Sequence, residues 1–405
     1  MPTEELPVLD LVPLMDQLDG PVGEPVREGI ERAMPFFDLG MGAWLEVPEA
    51  SGGGWMWVLD IHLPGAFGVK PHFTNFALPE GAEVLVYDPQ IPDNLPSPYR
   101  GNGPKGLGDF WGWTCWSDRS RVEVYYPPSV GAQRFDLSFA IDKVAHIYRS
   151  PVTGNIGYFN TREFPCHLDR TCYSNWWQVG DSVGRMQFPT TPGFIGNCSG
   201  AMLNQTGDLA PFFLTARHCM QDISSRLDNL EVYWFYQSST CNGAPPSIGS
   251  VPRSVGSSYV LTTPVNDMSL VMIDGTVPRN LWWSGTAFID HVPEDWNIVG
   301  IHHPAGTHKR ISFGNIWDEF DSCGATNMSQ GAEIDWDAGI IEPGSSGSPM
   351  FLLDGRVVGV LSCNELPHGC GQDSSYYGRW GSYVSDYPNV MNASAWDDSS
   401  ENNDS

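Results

Sequence analysis

Basic residues are scarce in this chain of 405 residues. Only 21 lysines and arginines stand against 48 aspartates and glutamates, so the formal net charge is −27 at pH 7. A field of this sign repels the phosphates of nucleic acids and the headgroups of anionic lipids. We therefore expect neither nucleic acid nor a membrane surface among the partners.

Long apolar runs are also missing. No stretch approaches the roughly 20 apolar residues that a membrane-spanning helix needs. Glycine (44) and proline (33) are abundant instead, which is typical of many short strands joined by turns. With 41% hydrophobic residues the chain can bury full cores, and its length predicts two or three domains. These features predict an all-β fold.

None of the nine cysteines forms a C-x-x-C pair. Zinc sites usually contain such closely spaced ligands, so disulfides are the better interpretation, and disulfides persist in oxidising compartments. The first residues, Met1–Leu6, show no basic stretch followed by an apolar one, so a signal peptide is not visible in this chain. We nevertheless expect a secreted protein, either extracellular or periplasmic.

Composition changes along the chain predict its organisation. Residues 1–34 are acidic, interrupted by prolines and expected to be a loosely attached lead-in, with a short helix near Glu24–Ala33. A β-rich domain, expected to be a β-sandwich, follows over 35–150, and its strands are predicted at Glu83–Tyr87, Arg121–Tyr125 and Phe135–Ile141. The remaining segments are a linker over 151–165, a second domain over 166–392, and an acidic tail, expected to be disordered, over 393–405.

Three segments of the second domain carry residue types that suit nucleophilic catalysis. His218 follows an apolar strand and precedes Cys219, Asp267 precedes another apolar strand, and Ser346 lies in a glycine-flanked turn before a third. A serine hydroxyl needs a neighbouring imidazole to take its proton, and that imidazole needs a carboxylate to fix its tautomer. The order His, Asp, Ser is that of chymotrypsin.

The glycines around Ser346 predict a tight turn. In such a turn the backbone N–H groups of Gly344 and Ser346 can converge as an oxyanion hole. Each motif alone is weak, because turns are rich in Gly and Ser, but the three together in order favour catalysis.

A metal site is an alternative use of the histidines, and it would rest on His302, His303 and His308. Adjacent histidines, however, point to opposite sides of a strand, and no carboxylate cluster accompanies them. No metal and no other cofactor is predicted.

These motifs resemble those of trypsin-like (chymotrypsin-fold) serine endopeptidases, and most closely the bacterial lysyl endopeptidase branch. The resemblance spans about residues 166–388. It rests on Cys198–Thr206, Phe213–Cys219, Tyr233–Cys241, Ile301–Pro304, Lys309–Ser312, Glu342–Pro349 and Tyr377–Arg379. It implies two packed six-stranded β-barrels with the triad between them, protein or peptide substrates and a monomer.

The resemblance, together with the placement of the cysteines, also predicts disulfides. Cys198 and Cys219 are expected to pair, because they end two strands that flank His218. The resemblance adds Cys172–Cys241 and Cys166–Cys370. Cys323 and Cys363 remain and are paired because both should fall near the specificity pocket, which leaves Cys115 free.

This chain departs from its relatives at two positions. Ordinary trypsins have an aspartate before the nucleophile, which pairs with the newly freed N-terminus; here it is Ser345, as in the lysyl branch. That branch has an aspartate at the base of the specificity pocket, where this chain has Ser375. Asn364 is also expected to line the pocket, and Ser362 ends the strand Val358–Ser362, whose backbone is expected to pair with an extended substrate. Lysine specificity therefore does not carry over, unless Asp373 swings in to replace the missing carboxylate.

The predicted function is hydrolysis of peptide bonds through an acyl-enzyme. Its alternative is an inactive protease homologue that acts as a binding protein. The first domain resembles the β-rich pro-region of lysyl endopeptidase precursors at Glu80–Ala82, Val86–Tyr87, Val122–Glu123 and His146–Arg149. We expect a zymogen that is processed between Arg149 and Cys166. A permanent accessory domain, which could bind carbohydrate through the Trp111–Trp116 segment, is the alternative.

Overall fold

The structure is a computed structural model. It describes residues 1–17, 24–35, 39–130, 139–157, 164–205, 210–220, 227–289, 291–320, 326, 328–364, 370, 374–386 and 401–402. Strands dominate, which confirms the predicted all-β class. No helix within these ranges has the length and apolar character needed to cross a membrane.

The chain divides into two compact units. The first comprises Met1–Met15, Glu28–Ser150 and Thr191–Ile195, and the second comprises Asp16–Arg27, Pro151–Thr190 and Gly196–Ser405. The longest segment of the first unit ends at Ser150, and the predicted domain boundaries stay predictions.

The first unit contains two sheets. Its strands are β1 (Thr3–Glu5), β2 (Val26–Ala33), β3 (Ala43–Glu46), β4 (Trp55–His62), β5 (Gly68–Thr74), β6 (Glu83–Tyr87), β7 (Phe110–Trp111), β8 (Arg119–Tyr126) and β9 (Ala140–Ile147). One sheet has the order β1-β4-β8-β6 with β3 on β4, and the other has the order β2-β9-β5-β7. Alternate residues of β8 and of β5 point into one shared core, as the predicted sandwich requires.

The segment at Glu24–Ala33 is not a helix, so this prediction was wrong. Most of it is strand β2, paired with β9 from Gly29 opposite Ile147 to Ala33 opposite Lys143. A Cβ at Gly29 would lie 2.7 Å from Cδ1 of Ile147, so a larger residue would require that side chain to shift. Cross-strand packing thus overrides a helix-like apolar spacing. The expected loose lead-in differs too, since β1 pairs with β4.

The second unit carries the remaining strands and two α-helices whose bounds lie within the described residues. The strands that precede its second barrel are β10 (Leu168–Asp169), β11 (Val183–Thr190), β12 (Phe194–Leu203), β13 (Phe212–Ala216), β14 (Glu231–Tyr233), β15 (Arg253–Val255), β16 (Ser257–Thr263), β17 (Met268–Ile273) and β18 (Trp282–Trp283). The later strands are β19 (Asn297–His302), β20 (Arg310–Phe320), β21 (Gly331–Ala338), β22 (Pro349–Leu352), β23 (Val357–Asn364), β24 (Ser375–Arg379) and β25 (Glu401–Asn402). The helices are α1 (Trp177–Asp181) and α2 (Trp380–Asp386).

Short 3-10 turns connect many of these elements. They are Val12–Gln17, Leu39–Met41, Glu49–Ser51, Pro104–Gly106, Arg170–Cys172, Ser174–Trp176, His218–Met220, Ile248–Ser250 and Pro304–Gly306. Most of the tail predicted to be disordered lies outside the described residues, although β25 pairs with β18.

Two barrels organise the second unit. Strands β20-β19-β22-β23-β24-β21 form a closed six-stranded barrel, because β21 pairs with β20 as well. The other is a half-barrel of β14-β11-β12-β13-β17, with β15 at one edge and β16 at the other. A single residue, Gly256, joins these edges, and its φ of +82° lets the chain leave β14 and pair with β17. This architecture is chymotrypsin-like, as the motifs predicted.

Candidate active site

Strand register brings His218 and Asp267 together. Strand β13 ends just before His218, and β17 begins directly after Asp267. The two strands are antiparallel neighbours in which Ala216 lies opposite Met268. Because the end of one strand meets the start of the other, two motifs that are 49 residues apart in sequence become adjacent.

Both oxygens of the Asp267 carboxylate contact His218. The His218 backbone N–H donates to Oδ1 at 2.9 Å, and Nδ1 of its ring lies 2.6 Å from Oδ2. An ionised carboxylate only accepts hydrogen bonds, so Nδ1 carries the ring proton and Nε2 of the neutral ring keeps its lone pair. Both side chains are buried. This is the tautomer that a general base needs.

Ser362 supplies a third hydrogen bond to the same carboxylate. Its hydroxyl donates to Asp267 Oδ2 at 2.6 Å, and Thr326 Oγ1 lies 2.7 Å from the Ser362 oxygen. Since the Ser362 hydrogen is used on Asp267, Thr326 is the donor in the second contact. Ser362 was predicted to end the strand that pairs with an extended substrate; the structure also makes its side chain a support for Asp267.

Ser346 lies in the loop Glu342–Ser348, called the Ser346 loop below, just before β22. Its carbonyl accepts the backbone N–H of Ser199 on β12 at 2.8 Å. The next residue, Gly347, has a φ of +83°, and a Cβ there would lie 2.2 Å from Thr215 Oγ1 on β13. Glycine is therefore required where the loop crosses the strand that leads to His218.

The disulfide between Cys198 and Cys219 connects His218 to the Ser346 loop. Its sulfur atoms are 2.01 Å apart. The sulfur of Cys219 lies 3.8 Å from His218 Nε2 and 3.7 Å from the Ser346 carbonyl oxygen. The basic ring nitrogen and the serine main chain thus flank one sulfur atom. Ser346 itself is only partly buried, whereas its neighbours Ser345 and Gly347 are buried.

The Pro343–Gly344 and Ser345–Ser346 peptide planes are each held by a hydrogen bond. The carbonyl of Pro343 accepts the Ala305 N–H at 2.7 Å, and that of Ser345 accepts the Ser348 N–H at 2.9 Å. In a trans peptide the N–H points opposite to the C=O. These two bonds therefore set the directions of the Gly344 and Ser346 N–H groups, the predicted oxyanion donors.

Gly344 has a third restraint from strand β12. Its carbonyl accepts the Ser199 hydroxyl at 3.0 Å, and the Ser199 oxygen in turn accepts the His303 N–H at 3.0 Å. With a φ of +97° and Ala305 N 3.0 Å from where a Cβ would stand, Gly344 suits no larger residue. Sequence reasoning missed Ser199 and Ala305, because neither belongs to a catalytic motif.

Two further disulfides join the remaining predicted pairs in the described residues. They are Cys166–Cys370 and Cys172–Cys241. Cys323 lies outside the described residues, so its pairing with Cys363 stays a prediction. Cys115 forms no disulfide and is buried in the first unit, as expected.

The predicted pocket residues meet on two neighbouring strands. Asn364 at the end of β23 lies opposite Ser375 at the start of β24. Ser375 is buried, and its hydroxyl oxygen accepts the indole N–H of Trp336 at 2.8 Å. Ile340, six residues before Ser346, is also buried. Asp373, the predicted alternative, lies outside the described residues.

His302, the last residue of β19, and His303, which follows it, point in opposite directions, as expected for neighbours along a strand. Nδ1 of His302 faces the Ser345 hydroxyl, whereas His303 stacks on Tyr236 and its Nδ1 donates to the Thr307 carbonyl. Burial holds the pKa of both histidines well below the ordinary value. Both rings are therefore neutral.

Lys309 is a fully buried cation that sequence reasoning assigned no role. Its Nζ donates to the Gly180 carbonyl at 2.6 Å and to Gln237 Oε1 at 3.2 Å. Burial, aided by the nearby charge of Arg170, lowers its pKa to about 7. A Lys-Arg pair in sequence looks like solvated charge, so only the fold reveals this burial.

One cluster of potential metal ligands occurs within the described part of the chain. It consists of Cys198, His218 and Cys219. The two sulfurs are bonded to each other, so neither is available as a thiolate ligand. The cluster therefore lies beside the contact between His218 and Asp267 and does not form a metal-binding set.

Comparisons with known proteins agree with this geometry. Residues 162–378 match the family model described as lysyl endopeptidase, C-terminal domain. The chain is 24% identical to the lysyl endopeptidase of Pseudomonas aeruginosa over 362 residues, covering 82% of this chain and 73% of that protein.

Solved structures include more distant likenesses. The Rv3671c protease from M. tuberculosis in its active form is 15% identical, with a TM-score of 0.39, covering 56% of this chain and 91% of that one. The HtrA-type protease AlgW with a tripeptide is 15% identical, with a TM-score of 0.38, covering 53% of this chain and 62% of that one. The family model matches more than half of the residues, and the chain therefore belongs to the lysyl endopeptidase family of peptidases, through the C-terminal domain that this model describes.

Proposed function

We propose that this serine endopeptidase cleaves peptide bonds through an acyl-enzyme formed on Ser346. In this mechanism His218 takes the Ser346 proton through Nε2 and later gives it to the leaving amine. Asp267 holds the ring in the required tautomer and stabilises the imidazolium. The N–H groups of Gly344 and Ser346 bind the oxyanion of the tetrahedral intermediate.

The observation that carries this proposal is the double contact between Asp267 and His218. A buried carboxylate with three hydrogen bonds is expensive to build merely as structure, since burying a charge is costly unless it is paired. Because Nδ1 of His218 is bonded to Asp267, Nε2 is the basic nitrogen of the ring. Nε2 and the Ser346 carbonyl oxygen both lie within 3.8 Å of the Cys219 sulfur. An inactive homologue that binds proteins would need neither this tautomer nor the restrained amides of Gly344 and Ser346.

An active-ester substrate tests the mechanism. Wild-type protein should release about one equivalent of leaving group in a burst, as acyl-enzyme accumulates, followed by slower turnover. Ser346→Ala should abolish the burst and lower kcat by several orders of magnitude. Ser348→Ala, a matched loss of a hydroxyl two residues away, should keep the burst. Equal residual turnover in wild type and Ser346→Ala would instead support the binding protein.

We further infer that the first unit is a pro-domain and that the protein is exported. Three disulfides support export, because such bonds persist in oxidising compartments. Arg149 and Arg162 are the basic residues near the predicted processing segment, of which Arg162 lies outside the described residues. Incubating the purified chain and sequencing the N-terminus of the stable fragment tests this role. An intact chain that is already fully active would favour the accessory domain.

A further inference from the structure

Ser345 stands directly before the proposed nucleophile and is fully buried. Its hydroxyl oxygen lies 2.7 Å from Nδ1 of His302 and 3.4 Å from the backbone nitrogen of Glu342. An amide N–H only donates, so the hydroxyl accepts the hydrogen of Glu342. A hydroxyl oxygen can accept a second hydrogen bond, so the tautomer of His302 decides whether Nδ1 accepts the Ser345 hydrogen.

The other side of the His302 ring fixes its tautomer independently. Nε2 lies 3.2 Å from the Ser312 hydroxyl oxygen, and that hydroxyl donates to the Ile340 carbonyl at 3.1 Å. Because the Ser312 hydrogen is used on a carbonyl, Nε2 must supply the hydrogen between Nε2 and Ser312. His302 is therefore neutral, with its proton on Nε2. Burial and the nearby His167 and Arg310 hold its pKa well below the ordinary value, in agreement with a neutral ring.

These bonds form one directed chain from Ser345 through His302 and Ser312 to Ile340. This chain of bonds joins Ser345, directly before the proposed nucleophile, to Ile340, which lies two residues before the Ser346 loop begins at Glu342. Every member is buried. In a water-excluded site such a chain restricts rotation strongly, because each broken bond leaves an unpaired polar group.

We infer that His302 is a positioning residue for the oxyanion hole, acting through Ser345 on the N–H groups of Gly344 and Ser346. The inference rests on the proposed function of that loop. Ser345 contributes the carbonyl of the peptide unit that carries the Ser346 N–H, and one peptide unit, Gly344–Ser345, links it to Gly344. A rotation of Ser345 would therefore turn the Ser346 donor directly and disturb Gly344 through that link. In ordinary trypsins an aspartate at this position is held by a freed chain terminus; here the partner is an internal histidine on β19.

Four variants test the inference. Ser345→Ala removes the hydroxyl, and His302→Leu removes the acceptor while keeping an apolar side chain of substantial volume. His302→Asn keeps an amide oxygen near the position of Nδ1. Ser284→Ala is the matched control, because it removes another buried serine hydroxyl, bonded to Ser182 at 2.9 Å. Each variant is titrated for active sites by the ester burst, so that misfolded protein does not enter kcat.

The decisive measurement compares the affinities for two forms of one peptide. The peptide aldehyde forms an adduct with serine that carries an oxyanion, whereas the peptide carboxamide forms no such adduct. Ser345→Ala and His302→Leu should lower kcat per active site about 10- to 100-fold, below the 10²–10³ that losing a donor outright costs. Aldehyde affinity should fall by a similar factor, while KM and carboxamide affinity stay within about twofold, as for an interaction made only in the transition state. His302→Asn should lie closer to wild type than His302→Leu.

Several outcomes would overturn the inference. One is a loss of thermal stability in Ser345→Ala and His302→Leu with wild-type kcat per active site, as in Ser284→Ala. Another is an equal loss of aldehyde and carboxamide affinity. If His302→Leu does not fold, Ser345→Ala and His302→Asn still decide, since the first must lose aldehyde affinity and the second must retain most of it. A burst that survives Ser346→Ala would instead refute the proposed function itself.

Discussion

The Asp267 carboxylate contacts His218 at two points, and its backbone has a left-handed conformation. Its φ is +50°; Oδ1 accepts the His218 backbone N–H, and Oδ2 accepts the Nδ1–H of the His218 ring. The Asp267 carbonyl in addition accepts the N–H of Arg217 at 2.8 Å. Aspartate and asparagine tolerate this conformation better than most residues. The turn before β17 therefore needs a short polar side chain at this position, independently of the charge.

Asp267→Asn should separate the charge from the turn. Asparagine suits the left-handed conformation, so we expect the fold to persist. The amide cannot hold the Nδ1–H tautomer as a carboxylate does, and kcat should fall by about 10⁴, as is typical of this change in a serine protease triad. Steady-state kinetics together with thermal unfolding measure both effects. Asp267→Ala is the control, because it should lose both activity and stability; wild-type kcat in Asp267→Asn would contradict the mechanism.

Ser362→Ala should weaken the same carboxylate more gently. Asp267 keeps both bonds to His218 and loses one of its three donors. A hydrogen bond to a charged group contributes about 1.5–3 kcal/mol, and we expect kcat to fall about tenfold. Thr326→Ala, which removes the donor to Ser362 but not the bond to Asp267, should have a smaller effect. A Ser362→Ala enzyme with unchanged kcat and KM would show that this bond supports structure alone.

Side-chain motifs predicted much of this molecule from sequence. Strand β6 was predicted with its observed bounds, Glu83–Tyr87, because alternating apolar residues between turn formers leave little ambiguity. His218, Asp267 and Ser346 were identified by the motifs around them. The structure places the first two in contact, and their catalytic roles remain proposals.

Backbone contacts and burial could not be predicted in this way. Ala305 acts through its N–H, which every residue except proline has, so its identity carries no signal. His302 and Lys309 belong to a segment whose basic residues suggest an exposed loop, and long-range packing buries both. The prediction of a helix in the segment that forms β2 was wrong for a similar reason, because its partner β9 lies more than a hundred residues further along the chain.

Lys309 should make stability depend on pH in the alkaline range. Its pKa falls from 10.5 to about 7 on folding, so between these values the unfolded chain binds more protons than the folded one. Stability from this group therefore rises with pH across the window, by at most about 1.4 kcal/mol per pH unit.

Urea unfolding at several pH values between 7.5 and 9.5 measures this slope. Lys309→Met should lower stability overall, because Gly180 and Gln237 lose their donor, and it should also remove part of the rise with pH. Lys143→Met, at a partly exposed lysine of the first unit, is the control and should keep the slope. Parallel pH profiles in wild type and Lys309→Met would contradict the lowered pKa.

The residue that the enzyme accepts before the cleaved bond should not be restricted to lysine. If the specificity pocket is built as in related proteases, Ser375 and Ile340 stand where an acid would bind a basic side chain. Ser375 already accepts a hydrogen bond from Trp336, and both residues are buried. An ammonium buried there without a carboxylate would cost several kcal/mol. We therefore expect cleavage of a mixed peptide library not to be confined to lysine, and Asp373→Asn to leave the profile unchanged. Ser375→Asp, which introduces a carboxylate at the base, should shift the preference towards lysine and arginine. Strict cleavage after basic residues that is lost in Asp373→Asn would instead assign the pocket charge to Asp373.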